Sequence, residues 1–255
     1  KIPAGGYRHL IIAWDVSPSM QLDDGGIDLR KQKKRTRSQR GAKVLLSLFE
    51  RIALDQVRIS IVAFFTSAKP VVIDTHDLNV VKNILDDLPL DRAFDPGKTS
   101  VISGIKESVK LAKEWEPNST TLLLVSDGDT LPDTGLPNLP PSISKVLVAG
   151  VGDPRRGVFI DGHMSRQNSR VLRQLAKRLG GEYVDVNNIQ IPTSQLAEMA
   201  GVRNLVDTSE KGRRELALIC VTTGAALLAL LPAGLAFFGS PWQLRRSFNP
   251  VLKDK

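Results

Sequence analysis

Three short clusters of oxygen-bearing side chains could together bind a hard metal ion. They contain Asp15, Ser17 and Ser19 in DVSPS, Thr99 in GKTS, and Asp127 in SDGD. Carboxylate and hydroxyl oxygens suit Mg²⁺, with Mn²⁺ and Ca²⁺ as close alternatives. Residues two apart in an extended chain point the same way, so the alternation in DVSPS directs its three side chains towards one point. These five residues are the candidate metal site.

The elements that must position these clusters alternate between strands and helices. Continuously apolar runs such as HLIIAWD and TTLLLVS predict strands that are buried on both faces. Amphipathic stretches such as RGAKVLLSLFERIAL predict helices between the strands. The short run PVVIDT closely follows VRISIVAFF, which predicts a hairpin with an antiparallel edge strand. The pattern predicts an α/β domain with a doubly wound, mostly parallel, Rossmann-like sheet over residues 7–190. Ligands of such sheets bind at the carboxyl ends of the strands, where Asp15 and Asp127 fall.

The chain is basic, and much of its excess charge is local. Its net charge is +8 over 255 residues, and the run RKQKKRTRSQR, residues 30–40, holds seven basic residues and no acid. This run could contact nucleic acid, anionic lipid or an acidic partner. A solvated surface loop is favoured, and nucleic acid disfavoured, because no aromatic residues interleave. If the run does bind a partner, the candidate residues are Arg30, Lys31, Lys33, Lys34, Arg35 and Arg37. The acids Asp23 and Asp24, just before the run, are interpreted as a plain turn.

One segment has the composition of a membrane span. Residues 216–238 contain no charged side chain over 23 positions, and a bilayer core requires about 20 predominantly apolar residues as helix. We therefore expect one C-terminal transmembrane helix, preceded by a linker at 191–215 and followed by a basic tail at 239–255. Basic residues flank both ends of the span, so the side of the membrane on which the α/β domain lies is left open. The first residue is Lys1 rather than methionine, so we expect a processed or trimmed product.

The five candidate residues together resemble the metal-ion-dependent adhesion site of von Willebrand factor A (VWA) domains. Asp15, Ser17 and Ser19 match the first loop of that motif, Thr99 the second and Asp127 the third. The resemblance implies that the two serines and the threonine contact the ion directly, whereas the two aspartates act largely through water. It also implies an open position on the ion for an Asp or Glu of a protein partner.

The wider pattern is similar to the membrane-anchored Bat-type (aerotolerance-associated) bacterial proteins. The similarity rests on DVSPSM, GKTSVISGI, LLLVSDGD, VLVAGVGDP and LRQLAKRLGGEYVDV, followed by the apolar segment. It implies other membrane-anchored VWA proteins and a MoxR-type AAA+ ATPase as partners. The chain departs from the family by inserting QLDDGGIDLRKQKKRTRSQR, residues 21–40, after the first loop. We call this segment the insert.

These patterns predict a binding module rather than an enzyme. The sequence has no G-x-S-x-G elbow, and GKTS lacks the upstream glycine of a P-loop. The single Cys220 excludes an internal disulfide and a cysteine metal cage. We expect a metal-dependent protein–protein interaction module, held in the cell (inner) membrane by a single span. The alternatives are a Mg²⁺-dependent enzyme acting on phosphoesters, and an anion-, nucleic-acid- or lipid-binding protein that uses the insert.

Overall fold

The structure is a computed structural model that describes residues 7–28, 33–50, 57–86, 88–129, 135–160, 162–187 and 209–238. The chain divides into two compact units, Lys1–Arg203 and Asn204–Lys255, which are described separately. The predicted linker lies outside the described residues as far as position 208, and the predicted tail 239–255 lies outside them entirely.

The first unit is built on a six-stranded sheet. The strands found in the described ranges are β1 (Arg8–Asp15), β2 (Ile27–Asp28), β3 (Lys33–Lys34), β4 (Val57–Phe64), β5 (Ala68–Thr75), β6 (Thr120–Ser126), β7 (Ile143–Gly150), β8 (Val158–Ile160), β9 (His163–Ser165) and β10 (Glu182–Asp185). The large sheet has the order β10-β7-β6-β1-β4-β5. Its pairs are parallel, except that the edge strand β5 runs antiparallel to β4. This confirms the predicted sheet and its antiparallel edge.

Helices cover both faces of this sheet. They are α1 (Arg37–Phe49), α2 (Leu78–Asp86), α3 (Val101–Ala112) and α4 (Ser169–Arg178). Buried side chains of α1 and α2 share one apolar cluster with alternate strand residues, among them Trp14. Those of α3 and α4 share a second cluster with the intervening strand residues. Apolar residues thus face outwards on both sides of each central strand, which explains the continuous apolar runs.

The described part of the insert is an ordered ribbon rather than a plain loop. Strands β2 and β3 pair antiparallel, and two hydrogen bonds close the base of the ribbon. Gly25 N donates to Arg35 O and Arg35 N donates to Gly26 O, each at 2.9 Å. A second short ribbon, β8 with β9, precedes α4. Strands of two or three residues are too short to show a periodicity, so neither ribbon was predicted.

Helix α1 begins earlier than the sequence pattern indicated. Its apolar periodicity starts after Arg40, yet the helix begins at Arg37. Thr36 is the N-cap, and its hydroxyl accepts from Gln39 N at 3.1 Å while Gln39 Oε1 accepts from Thr36 N at 3.2 Å. This capping box satisfies two backbone donors of the first turn and extends the helix by three residues. Arg37 thereby becomes part of the helix.

The second unit contains helix α5, Ser209–Phe238, which includes the predicted span. Apolar side chains described along it are exposed, and Leu227 and Leu228 are each 70% exposed. Over the described ranges, none of the helices combines the length and the hydropathy needed to cross a bilayer. The transmembrane assignment of 216–238 therefore stays a prediction.

Candidate metal site

The predicted clusters meet at one edge of the sheet. Strand β1 lies between β4 and β6, so its neighbours extend in opposite directions from it. Asp15 is in register with Phe64 of β4, and Trp14 with Val125 of β6. The carboxyl end of β1 is therefore a switch point, where a crevice opens in sheets of this class. The candidate residues of all three clusters lie at or beside this crevice.

The three candidate hydroxyls line a single cleft of about 370 Å³, to which Ser17, Ser19 and Thr99 all contribute. Ser17 Oγ and Ser19 Oγ lie 3.1 Å apart. Neighbouring ligands of an octahedral Mg²⁺ are separated by about 3 Å, so this spacing suits two adjacent ligands of one ion. Thr99 is brought to the cleft by its neighbour Ser100, whose N donates to Phe65 O at 2.6 Å.

The two candidate carboxylates are buried, and neither lines the cleft. Asp15 Oδ1 accepts from Ser17 N at 2.9 Å, and Asp15 Oδ2 accepts from the Ser126 hydroxyl at 2.6 Å. Asp127 Oδ1 accepts from Asp129 N at 3.0 Å. These bonds orient both carboxylates from behind the hydroxyls. Each carboxylate oxygen has about two acceptor positions, so each can still accept from a water molecule.

Arg37 does not lie on the surface with the rest of the basic run, which corrects its assignment as a partner-contacting residue. Its side chain is fully buried. Nε donates to Asp24 Oδ1 at 2.7 Å and Nη2 to Asp24 Oδ2 at 2.8 Å. Nη1 donates to Asp127 Oδ2 at 2.7 Å and to Ser165 Oγ at 2.9 Å, and Nη2 donates to Ser165 O at 3.2 Å. All five donors of the guanidinium are thus used. Asp24, interpreted from sequence as a turn residue, is half of this ion pair.

The other basic residues predicted to contact a partner are not buried where their exposure is described. Lys34 is exposed and Arg35 is half-buried. Lys33 belongs to β3, whereas Arg30 and Lys31 lie outside the described residues. A role for these five in partner binding stays a prediction.

Burial and charge act strongly on Asp15. Desolvation, followed by the nearby Asp127 carboxylate, raises the pKa of Asp15 from 3.8 to about 7. For Arg37, burial disfavours the charged form, but the hydrogen bonds with Asp24 and the charges of Asp127 and Asp24 outweigh it and raise its pKa. The crevice therefore holds one permanent internal cation and one carboxylate that titrates near neutral pH. A divalent ion at the cleft would favour the ionised form of that carboxylate.

The rim of the cleft contains residues that the sequence analysis did not assign. Asp129 and His163 line it, and His163 Nε2 lies 3.3 Å from Asp129 Oδ2. Gly128, between the two aspartates, has φ of +70°, which explains a glycine in the SDGD turn. Ser126, the hydroxyl donor to Asp15, directly precedes this turn, but a serine at a strand end is not by itself a sign of such a role.

The residues present fit a hard cation held mainly by hydroxyls. Among the described residues no three His, Cys, Asp or Glu side chains form a metal-binding group. A site of that kind is not what the clusters predict, since three of the five candidates are hydroxyls. The hydroxyls at the cleft and the oriented carboxylates behind them match the preferences of Mg²⁺ for oxygen ligands and retained water.

In metal-free protein, we expect the free energy of unfolding to fall as the pH rises from about 4 to 7. The folded-state pKa of Asp15 lies above its unfolded value, so the folded protein binds this proton more tightly than the unfolded chain does. The resulting stabilisation is fully present at low pH and is lost as the pH rises through the folded-state pKa. Asp15→Asn should remove this contribution, which is on the order of 4 kcal/mol for a pKa that rises from 3.8 to about 7. Urea unfolding in chelator across this range measures it. Identical pH profiles for the two proteins would contradict the assignment.

Comparison with known proteins identifies the fold. No protein-family profile and no curated protein matches the sequence. Solved structures do match. An aerotolerance-related membrane protein from Bacteroides fragilis has a TM-score of 0.56 at 16% identity, covering 76% of this chain and 99% of that one. BatB from Bacteroides thetaiotaomicron has a TM-score of 0.55 at 16% identity, covering 76% and 96%.

A more distant likeness is to the PilB minor pilin from Streptococcus sanguinis, with a TM-score of 0.50 at 14% identity, covering 78% of this chain and 61% of that one. At these identities the likeness shows the fold. The α/β unit of this chain has the fold of the Bat-type, aerotolerance-related membrane proteins, as its sequence resemblance predicted.

Proposed function

We propose that this chain is a membrane-anchored module that binds a protein partner through a divalent metal ion, and that it is not an enzyme. One observation carries the proposal: three hydroxyl-bearing residues line a single cleft, and two hydrogen-bonded carboxylates are buried beside it. The likeness in fold to Bat-type membrane proteins supports it.

An ion held mainly by neutral hydroxyls keeps much of its positive charge. Ser17, Ser19 and Thr99 would contact the ion directly, whereas Asp15 and Asp127 would act through ordered water. The ion is Mg²⁺ in this proposal, with Mn²⁺ or Ca²⁺ able to take its place. An Asp or Glu of the partner would then complete the coordination, and the exposed Lys98 at the cleft would favour the same charge.

The Bat-type resemblance suggests which proteins are the partners of this module. We propose that it joins other membrane-anchored VWA proteins in a complex served by a MoxR-type AAA+ ATPase. The module would recognise the partner protein, and the ATPase would provide the energy of ATP hydrolysis. The proposal for these partners rests on the sequence resemblance.

We further propose that α5 anchors the chain in the cell (inner) membrane by a single pass. Residues 216–238 carry no charge, and exposed leucines such as Leu227 and Leu228 would meet lipid rather than water. Proteins similar in fold are described as membrane proteins, which supports the same location.

Removal of one direct ligand tests the metal site. Ser19→Ala should lower Mn²⁺ affinity by about tenfold or more, because a neutral first-sphere oxygen is lost while the buried network is untouched. Isothermal calorimetry on the full chain in detergent measures it. Ser144→Ala, an exposed serine at the start of β7, is the control and should leave affinity unchanged. Equal affinities for wild type and Ser19→Ala would contradict the site.

Partner capture tests the function itself. Affinity capture from solubilised membranes should recover a specific protein in Mg²⁺, and chelator should release it. Thr99→Ala should weaken capture more than it weakens metal binding, because its hydroxyl lies on the separate GKTS loop and can adjust as the partner arrives. Turnover of generic phosphoesters would instead support the enzyme alternative, and capture that resists chelator but weakens steeply with salt would support anion binding by the insert.

Truncation tests the anchor. Deleting residues 212–255 should move the protein from the membrane fraction to the soluble fraction, because the α/β unit ends before the deletion. Sedimentation after a high-salt wash, compared with the full chain, measures this. If the truncated protein still sediments with membranes, then a second membrane contact exists and the single-anchor proposal fails.

A further inference from the structure

We propose that Arg37 tunes the bound ion by holding Asp127 away from direct ligation, so that the insert controls both the affinity of the site and the charge left for a partner. The inference rests on the proposed metal site and assigns a positioning role to a residue that touches no ligand itself. Arg37 is the only buried lysine or arginine of the described residues, and it is hydrogen-bonded to Asp127, a candidate metal residue.

The first step is the competition for Asp127. Its Oδ2 is held by Arg37 at 2.7 Å and its Oδ1 by the backbone N of Asp129 at 3.0 Å. A rotation that brought Oδ2 onto the ion would break a charge-assisted hydrogen bond in a buried environment. Arg37 therefore opposes direct ligation through this oxygen and favours an ion held by the hydroxyls and by water.

The second step is that Arg37 cannot move without disrupting other contacts. The guanidinium uses its remaining donors on Asp24 and on Ser165 of β9. It also passes over Gly152, whose φ is +96° and where an added Cβ would lie 2.5 Å from Arg37 Nε. A side chain at position 152 would displace the guanidinium. Arg37 is therefore fixed from several sides.

The third step is that Asp24 and Asp127 share one cation. Asp24 makes a two-point pair with Arg37, and its Oδ2 also accepts from Asp153 N at 3.2 Å. Asp24 belongs to the insert, and so does Arg37. Loss of Asp24 would leave the whole positive charge to Asp127 and to the ion beyond it. Loss of Arg37 would free Asp127 and remove a positive charge near the ion.

These steps predict changes of opposite sign, which a merely structural role does not. Arg37→Met should raise Mn²⁺ affinity by about tenfold or more, because one carboxylate is released towards the ion. Asp24→Asn should lower it by a factor of about 3 or more, because the guanidinium is no longer shared. If Arg37 only braces the fold, both substitutions should lower affinity. Lys43→Met, at an exposed lysine of α1, is the matched control.

The test is Mn²⁺ calorimetry on the full chain in detergent, with circular dichroism of the metal-free proteins to check folding. In an Asp127→Asn background, the gain from Arg37→Met should shrink to within about twofold, because its target is gone. If Arg37→Met does not fold, the double variant Arg37→Met/Asp24→Asn replaces it, because it removes both charges of the Asp24–Arg37 ion pair. The double variant should bind Mn²⁺ more tightly than Asp24→Asn alone. Asp24→Asn tests the inference independently.

The outcomes separate the two proposals. Wild type that binds no Mn²⁺ overturns the proposed metal site, and with it this inference. Wild type that binds Mn²⁺, together with an unchanged or lower affinity in the Arg37 variant, overturns only the tuning role. An unchanged or higher affinity in Asp24→Asn does the same. Opposite shifts, with the affinity of Lys43→Met unchanged, support the inference.

Discussion

Two carboxylates buried at the ends of neighbouring strands form the constraint on which the rest of this site depends. Asp15 ends β1 and Asp127 follows β6, and both lie beneath the cleft rather than in it. Charge placed in such an environment must be paired or hydrogen-bonded. The Ser126 hydroxyl and a backbone amide donate hydrogen bonds to Asp15, and Arg37 donates one to Asp127. Removing one partner of a buried ion pair costs about 3–5 kcal/mol of stability. The buried Asp127 therefore requires Arg37 beside it.

The geometry of the insert is explained by the need to place Arg37 beside Asp127. Arg37, which bonds Asp127, is the first residue of α1, and the helix begins there because Thr36 caps it. The guanidinium in turn needs a second anion, which Asp24 supplies from the other side of the ribbon. Ribbon, cap and ion pairs thus form one unit. A buried cation and a partly buried acid of the insert lie next to the candidate metal site.

The sequence indicated the sheet and the five clustered residues because both leave local signatures. Apolar runs mark strands buried on two faces, and alternation marks side chains that share a direction. Arg37 left no such signature, since one buried arginine in a run of seven basic residues looks like its solvated neighbours. Thr36 and Gln39 did carry the T-x-x-Q pattern of a capping box, which would have moved the helix start. The pairing of Arg37 with Asp24 and with Asp127 spans 13 and 90 positions, and a local sequence pattern cannot report it.

The closed base of the β2–β3 ribbon has a consequence for how this protein can diversify. The backbone bonds between Gly25, Gly26 and Arg35 lie between the ion pairs of Arg37 and the chain segment 29–32, which joins β2 to β3. Lengthening a loop costs little, about 0.6 kcal/mol for each doubling. We therefore expect segment 29–32 to tolerate insertions and changes of sequence with little effect on the ion pairs that Arg37 makes with Asp24 and Asp127.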